Sequence, residues 1–134
     1  MDEQETLYIS CLIASGREPP LTEVRCLDRN IGAFFSTGST ASCMTKSLWN
    51  KLNCPMMPWD RTNLVASYVG GKIPYLGVVN LQITIDGLTA SGRIFVVENS
   101  PVDLILGMDV MDQLMEMGPM AVKNVNGRCT FLFG

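Results

Sequence analysis

Ala33-Phe34-Phe35-Ser36-Thr37-Gly38-Ser39-Thr40-Ala41-Ser42 is the stretch whose reading decides the fold. Three apolar residues run straight into small hydroxyl residues and a glycine, the pattern of a buried strand that ends in a tight loop. Gly38 permits close backbone approach, and Thr37, Ser39 and Thr40 carry hydroxyls that can bond back to the main chain and lock the loop. A loop built this way turns amides and hydroxyls toward one point, which is the layout of a reactive turn.

Upstream, Glu23 to Leu27 reads as a strand, Asp28-Arg29-Asn30 as its turn and Ile31 to Phe35 as the return, so a hairpin delivers Ser36 to its tip. Leu7 to Ile13 is rich in strand formers and is broken by Ser15-Gly16-Arg17-Glu18-Pro19-Pro20, so residues 1–20 are expected to be an N-terminal arm or an added strand. Downstream, Leu48, Trp49 and Leu52 share one face of a short helix with Thr45 as N-cap, closed by Asn53-Cys54-Pro55; Trp49 and Leu52 are core candidates. Leu64 to Val69 reads as a strand up to Gly70-Gly71, with Lys72 to Gly77 returning from that dipeptide. Alternation from Val79 to Ile85, the Asp86-Gly87 turn and the run Leu88 to Val97 make the clearest hairpin. Leu104 to Leu106 is a buried strand, Gly107 a point of close backbone crossing, and Asp109 to Met117 a helix. Met120 to Val125 and Arg128 to Phe133, joined by Asn126-Gly127, close the chain as another hairpin, and the architecture is all-β.

The 134 residues suffice for one domain with a core. A formal net charge of −3, with ten scattered Lys and Arg, supplies no basic footprint, so no nucleic-acid partner is expected. No run of eighteen apolar residues occurs, so no membrane span is expected either. The acidic start Met1-Asp2-Glu3-Gln4-Glu5 is unlike a secretory signal, and the expected location is intracellular, cytoplasmic or nuclear. Five widely spaced cysteines without a Cys-x-x-Cys read as free thiols in a reducing compartment, with no metal site and no cofactor expected. Histidine is absent. That removes Ser-His-Asp and Cys-His catalysis and the usual zinc-water sites, so no histidine in the chain can activate Ser36 as a nucleophile.

The central stretch resembles the active-site turn of the retropepsin-like, or retroviral-type, aspartic peptidases, in which apolar residues precede Asp-Thr/Ser-Gly-Ala/Ser. A second resemblance lies in Asp103-Leu104-Ile105-Leu106-Gly107-Met108-Asp109-Val110-Met111, which is similar to the C-terminal strand, glycine and helix of gypsy-type retrotransposon proteases and of the DNA-damage-inducible ubiquitin shuttle proteins. With the flap-like hairpin between them in the same order and spacing, the resemblance covers roughly residues 21–134. The resemblance implies an acid-protease half-barrel with one short C-terminal helix and one lobe per chain. It puts Ser36 at the position of the catalytic aspartate, with Thr37 and Gly38 on the family's Thr and Gly and Leu106-Gly107 in a structural role. It also makes Tyr68, Val69, Gly70, Gly71, Lys72 and Ile73 the tip of a flap over a peptide-binding groove. In the family Thr37 would bond to the opposite subunit, and terminal strands of two subunits would pair.

Aspartic peptidases need two carboxylates about 3 Å apart, one protonated as acid and one ionised to activate water. One such turn in a chain of this length implies a symmetric dimer, and Ser36 removes both acids from it. Asp28, Asp103 and Asp109 lie elsewhere in the expected fold. The serine hydroxyl can still accept from the Gly38 amide or bond across the two-fold axis and hold the loop pair together. The expected function is therefore a catalytically inactive homodimerisation module that binds a peptide or protein segment in its groove, by strand addition. The alternatives are a homodimeric aspartic endopeptidase captured as an inactive Asp-to-Ser variant, and a subunit that pairs with a partner carrying a true Asp-Thr-Gly.

Overall fold

In the computed structural model, which describes residues 4–11, 20–125 and 128–133, thirteen elements follow the chain. They are β1 (Glu5–Ile9), β2 (Thr22–Cys26), β3 (Arg29–Phe35), β4 (Ser42–Thr45), α1 (Lys46–Leu52), β5 (Thr62–Ala66), β6 (Gly71–Lys72), β7 (Gly77–Ile85), β8 (Leu88–Val97), β9 (Leu104–Leu106), α2 (Met108–Met117), β10 (Met120–Val125) and β11 (Arg128–Phe133). The expected turn at Asn126-Gly127 and most of the break at residues 15–20 lie outside the described residues.

The alternation at residues 79–85 forms the longest hairpin, β7 with β8, paired from Gly77↔Val96 to Ile85↔Leu88. Asp86 and Gly87 both take left-handed backbone angles, φ 51° and 79°, the two-residue turn that matches strand twist. The β2–β3 hairpin turns earlier than its sequence suggests. Leu27 and Asp28, rather than Asp28-Arg29-Asn30, occupy the left-handed positions, at φ 49° and 63°. Cys26 then pairs with Arg29 and Val24 with Ile31, a register that buries Thr22, Val24 and Cys26 on one face. Burial of that face outweighs the strain of a left-handed leucine.

Six strands close into a barrel in the order β2-β3-β9-β4-β8-β7. β9 enters it parallel to β3, Phe34↔Ile105 and Phe35↔Leu106, and antiparallel to β4. β4 is buried at all four residues because β8 and β9 flank it and both of its faces are covered. Inside lies a core of Val24, Phe35, Met44, Leu81, Ile94 and Leu106, covered by Val110, Met111 and Leu114 of α2. Phe131 and Phe133 pack on Phe35 with tilted rings, at 5.5 and 5.3 Å between centroids. Thr45 caps α1, its hydroxyl accepting from the Leu48 amide at 3.2 Å.

A second core, of Ile9, Phe34, Cys43, Leu64, Phe95 and Ile105, lies on the other side of the β3–β9–β4 wall. It is roofed by a three-stranded sheet ordered β1-β5-β6, in which β1 runs parallel to β5 from Glu5↔Thr62 to Ile9↔Ala66. The strand expected from Leu7 onward starts two residues earlier, at Glu5, and ends at Ile9, while residues 12 and 13 of that expectation lie outside the described residues. β10 and β11 form a two-stranded sheet of their own, with the Phe131 and Phe133 amides bonded to Thr22 Oγ1 and Asp86 Oδ2. Among the described residues no helix is long and apolar enough to cross a membrane.

Candidate functional site

β3 ends at Phe35, and the next four residues turn back toward β4. The turn is pinned from beneath by the crossing of β9 into α2: the Ser36 amide donates to Leu106 O at 2.8 Å, and the Met108 amide donates to Ser39 O at 2.8 Å. Leu106 and Gly107 are both buried here. A Cβ on Gly107 would lie 2.4 Å from Ala41 O and 2.7 Å from Ser39 O, so only glycine lets the two backbones cross. Ser42 ties the crossing: its hydroxyl accepts from the Gly107 amide at 2.9 Å and donates to Asp109 Oδ1 at 2.7 Å. Burial raises the Asp109 carboxyl above its ordinary range, with the Ser42 bond acting in the opposite sense.

Above this base Ser36 is 5% exposed and Ser39 fully buried, while Thr37 and Gly38 are exposed. The Ser36 hydroxyl donates to Ser10 O at 2.7 Å and receives a bond from Ser39 Oγ at 2.9 Å. It is thus held by a carbonyl and a second hydroxyl, and not by the Gly38 amide, the first of the two expected partners. Ser39 Oγ also accepts from the Ser10 amide at 2.8 Å. Thr40 completes the rim, its amide donating to Tyr8 O at 2.9 Å and its hydroxyl accepting from the Tyr8 amide at 2.9 Å. Asp103 accepts from Thr45 Oγ1 and Asp109 from Ser42, so neither carboxylate bonds the Ser36 hydroxyl.

Opposite the turn stands the hairpin of β5 and β6. Its loop is Ser67-Tyr68-Val69-Gly70, with Gly70 at φ 71° and Gly71 already in β6, so the reversal begins at Ser67 and ends on the first glycine of the Gly-Gly dipeptide. β6 is two residues long, and the return expected to run to Gly77 gives way to irregular chain around Pro74. Val69, Gly70 and Lys72 are exposed at the tip. Tyr68 and Ile73 turn inward onto the second core. Burial first, and the neighbouring Cys43 thiol second, push the Tyr68 phenol up to about 12. Tyr68 Oη and Ser100 Oγ are buried without a hydrogen-bond partner among the described residues.

The hairpin and the turn face each other across Ser10, whose Cβ lies 3.3 Å from where a Gly38 Cβ would be and whose hydroxyl is 3.5 Å from Ser67 Oγ. A separate cavity of about 270 Å³ is lined by Leu7, Thr40, Arg93, Phe95, Asp109 and Gln113 and includes none of Ser10, Ser36, Gly38 or Ser67. Ser10, Ser42 and Asp109 belong to the site's framework, and sequence reasoning did not place them there. Ser10 is distant in sequence and nothing periodic marks it. The Ser42–Asp109 bond joins the two motif stretches, and nothing in either stretch marks these two residues as partners.

The Ser36 and Ser39 hydroxyls, with the Thr40 amide and hydroxyl, bond the main chain of Tyr8 and Ser10, so the turn can hold peptide backbone. They supply no ionisable acid or base at Ser36 Oγ. Among the described residues Cys11, Cys26, Cys43 and Cys54 carry free thiols. Among the described residues no group of three metal-ligating side chains converges.

A sequence model of the family described as aspartyl protease matches residues 22–110. Among solved structures, the EIAV protease complexed with the inhibitor HBY-793 superposes with a TM-score of 0.60 at 22% identity, covering 84% of this chain and 100% of that one. The retroviral protease-like domain of Ddi1 from Leishmania major superposes with a TM-score of 0.58 at 16% identity, covering 87% and 96%. None of the curated protein sequences matches the chain significantly. At these identities the two superpositions establish a shared fold, and the 22–110 match spans the β2–β3 hairpin, the Ser36 turn and the start of α2.

Proposed function

The chain belongs to the aspartyl protease family and has a retropepsin-like fold, and from that premise we propose that it binds extended peptide or protein segments without cleaving them. On this reading Ser36 stands in for the catalytic aspartate, Thr37 and Gly38 complete the turn, and Tyr68 to Ile73 form the flap over the groove. The observation that carries it is the environment of Ser36 Oγ: a hydroxyl bonded to a carbonyl and a second hydroxyl, with no carboxylate among its partners. A hydroxyl there can neither activate water nor supply an acid of useful pKa, and each such role is typically worth about 10² to 10⁴ in rate.

The module acts as a homodimer in this proposal. A single turn per chain supports it, as does the terminal sheet, where β11 is capped by Thr22 and Asp86 while β10 carries the outer edge with Val122 57% exposed. The test is sedimentation of the purified chain together with a peptide-library cleavage assay between pH 3.5 and 7, run on the natural chain and on Ser36→Asp. The expected outcome is a dimeric, non-cleaving natural chain. Cleavage by it would overturn the proposal, and a monomeric mass would remove the dimer from it. Acid-pH cleavage by Ser36→Asp alone would trace the lost activity to that one residue.

A further inference from the structure

We propose that residues 5–10 occupy this chain's own peptide-binding cleft as a displaceable strand, so that the cleft is closed in cis until a competing extended segment replaces them. The proposal rests on the cleft being a peptide site, as read above, and adds its resident occupant and the ligand pattern it selects.

The contacts are those of a bound peptide. Tyr8 offers its amide and carbonyl to Thr40, Ser10 offers its amide to Ser39 and its carbonyl to Ser36, and Ile9 O accepts from the Ser67 amide of the opposing hairpin at 2.9 Å. The segment's side of every one of these bonds is main-chain, so any extended chain can reproduce them. Ser10 fills the gap between Gly38 and Ser67, so the occupied cleft runs between the turn and the hairpin loop.

Three features make the occupant replaceable. β1 is the edge strand of a sheet outside the barrel. Of its five residues only Ile9 is buried, at 1% exposure, while Tyr8 stays 51% exposed. The Arg93–Glu5 ion pair that anchors its start is partly exposed, so water screens it.

Ser36 matches the occupant chemically. A hydroxyl donates to Ser10 O, whereas an ionised carboxylate is an acceptor only and would repel that carbonyl. The side chains define what can compete. Leu7 and Ile9 point into the second core, and Ser10 lies against Gly38, so the cleft selects apolar-x-apolar followed by a small residue in an extended segment.

The probe is the fluorescein-labelled hexapeptide Glu-Thr-Leu-Tyr-Ile-Ser, the 5–10 segment supplied in trans to the full chain. Tyr8→Pro in the full chain deletes the amide bonded to Thr40 while altering a side chain that lies outside both cores. Because a tethered strand acts at an effective concentration near millimolar, the variant is expected to bind the probe at least about tenfold more tightly than the natural chain. Hydrogen exchange on the natural chain supplies the second measurement: Tyr8, Ser10 and Ser67 amides are expected to exchange at least about tenfold faster than those of Ile83 and Ile94. Equal, measurable binding to both proteins would overturn the cis occupant while leaving the cleft a peptide site. No binding to either would remove the peptide site and this proposal together. Exchange of the Tyr8 and Ser10 amides only at the rate of the barrel would make β1 an integral strand and overturn the proposal alone.

Discussion

Replacing Ser36 with aspartate restores the residue type that the family resemblance calls for, and its cost depends on pH in a direction the structure dictates. The side chain is 5% exposed, with Ser10 O 2.7 Å and Ser39 Oγ 2.9 Å from the hydroxyl. A protonated carboxyl can donate to Ser10 O as the serine does, so at pH 3 the variant stays close to the natural chain. An ionised one faces a carbonyl in a water-poor turn, and burial of this kind raises a carboxyl pKa by roughly two units. Between the unfolded value near 4 and the raised folded value, the folded variant retains a proton that the unfolded chain has released, so its stability falls as pH rises. Two units correspond to about 2.7 kcal/mol lost by pH 7, and the donated bond to Ser10 adds about 1 kcal/mol. The assay is urea unfolding of both proteins between pH 3 and 8, reading the difference between them. A loss of roughly 3 to 4 kcal/mol at pH 7 that shrinks toward zero at pH 3 is expected. A difference that stays flat across that range would refute the placement of Ser36 against Ser10.

Asp109, raised by burial, likewise keeps its proton in the folded state after the unfolded chain has released it, so Asp109→Asn should gain stability relative to the natural chain as pH rises from 4 to 7. Urea unfolding at the two pH values reads this, and an unchanged gap would contradict it. Gly107→Ala must push Ala41 O or Ser39 O aside, a cost of about 1 to 3 kcal/mol or more that lowers the thermal midpoint by ~5 °C or beyond. A shift under ~1 °C would mean the crossing is looser than described. Iodoacetamide at pH 8 should modify half-buried Cys54 first among the four described thiols, and Cys43 only on unfolding, since burial pushes Cys43 up to about 12 and Cys11 and Cys26 to about 11. Mass spectrometry of the alkylated chain gives the order.

The hairpins were legible because their pattern is local. Alternation from Val79 with Asp86-Gly87, and the Thr45 cap before Leu48, each encode one element without reference to the rest of the chain. The order of the Ser36 turn, the flap-like hairpin and Leu104-Ile105-Leu106-Gly107 carried the family fold as well. β4 escaped detection because Ser-Cys-Met-Thr has no polar face to alternate: neighbours bury it on both sides. The left-handed Leu27 was hidden for another reason, since a register chosen by burial overrode ordinary turn preference. Ser10 was invisible as a partner of Ser36 because its hydrogen bonds depend on parallel pairing of β1 with β5, which no short-range signal encodes.

The parallel ladder of Phe34 and Phe35 with Ile105 and Leu106 has a bearing on time as well as on architecture. A chain synthesised from its N-terminus can form the β2–β3 and β7–β8 hairpins early, but the wall between the two cores cannot exist until Leu104 to Leu106 have left the ribosome. The lid of Phe131 and Phe133 on Phe35 arrives later still. Such long-range closure slows folding and leaves apolar strands uncovered meanwhile. Nascent chains stalled before Leu104 should therefore remain protease-sensitive, and those with Phe133 clear of the ribosome should become resistant in a single step.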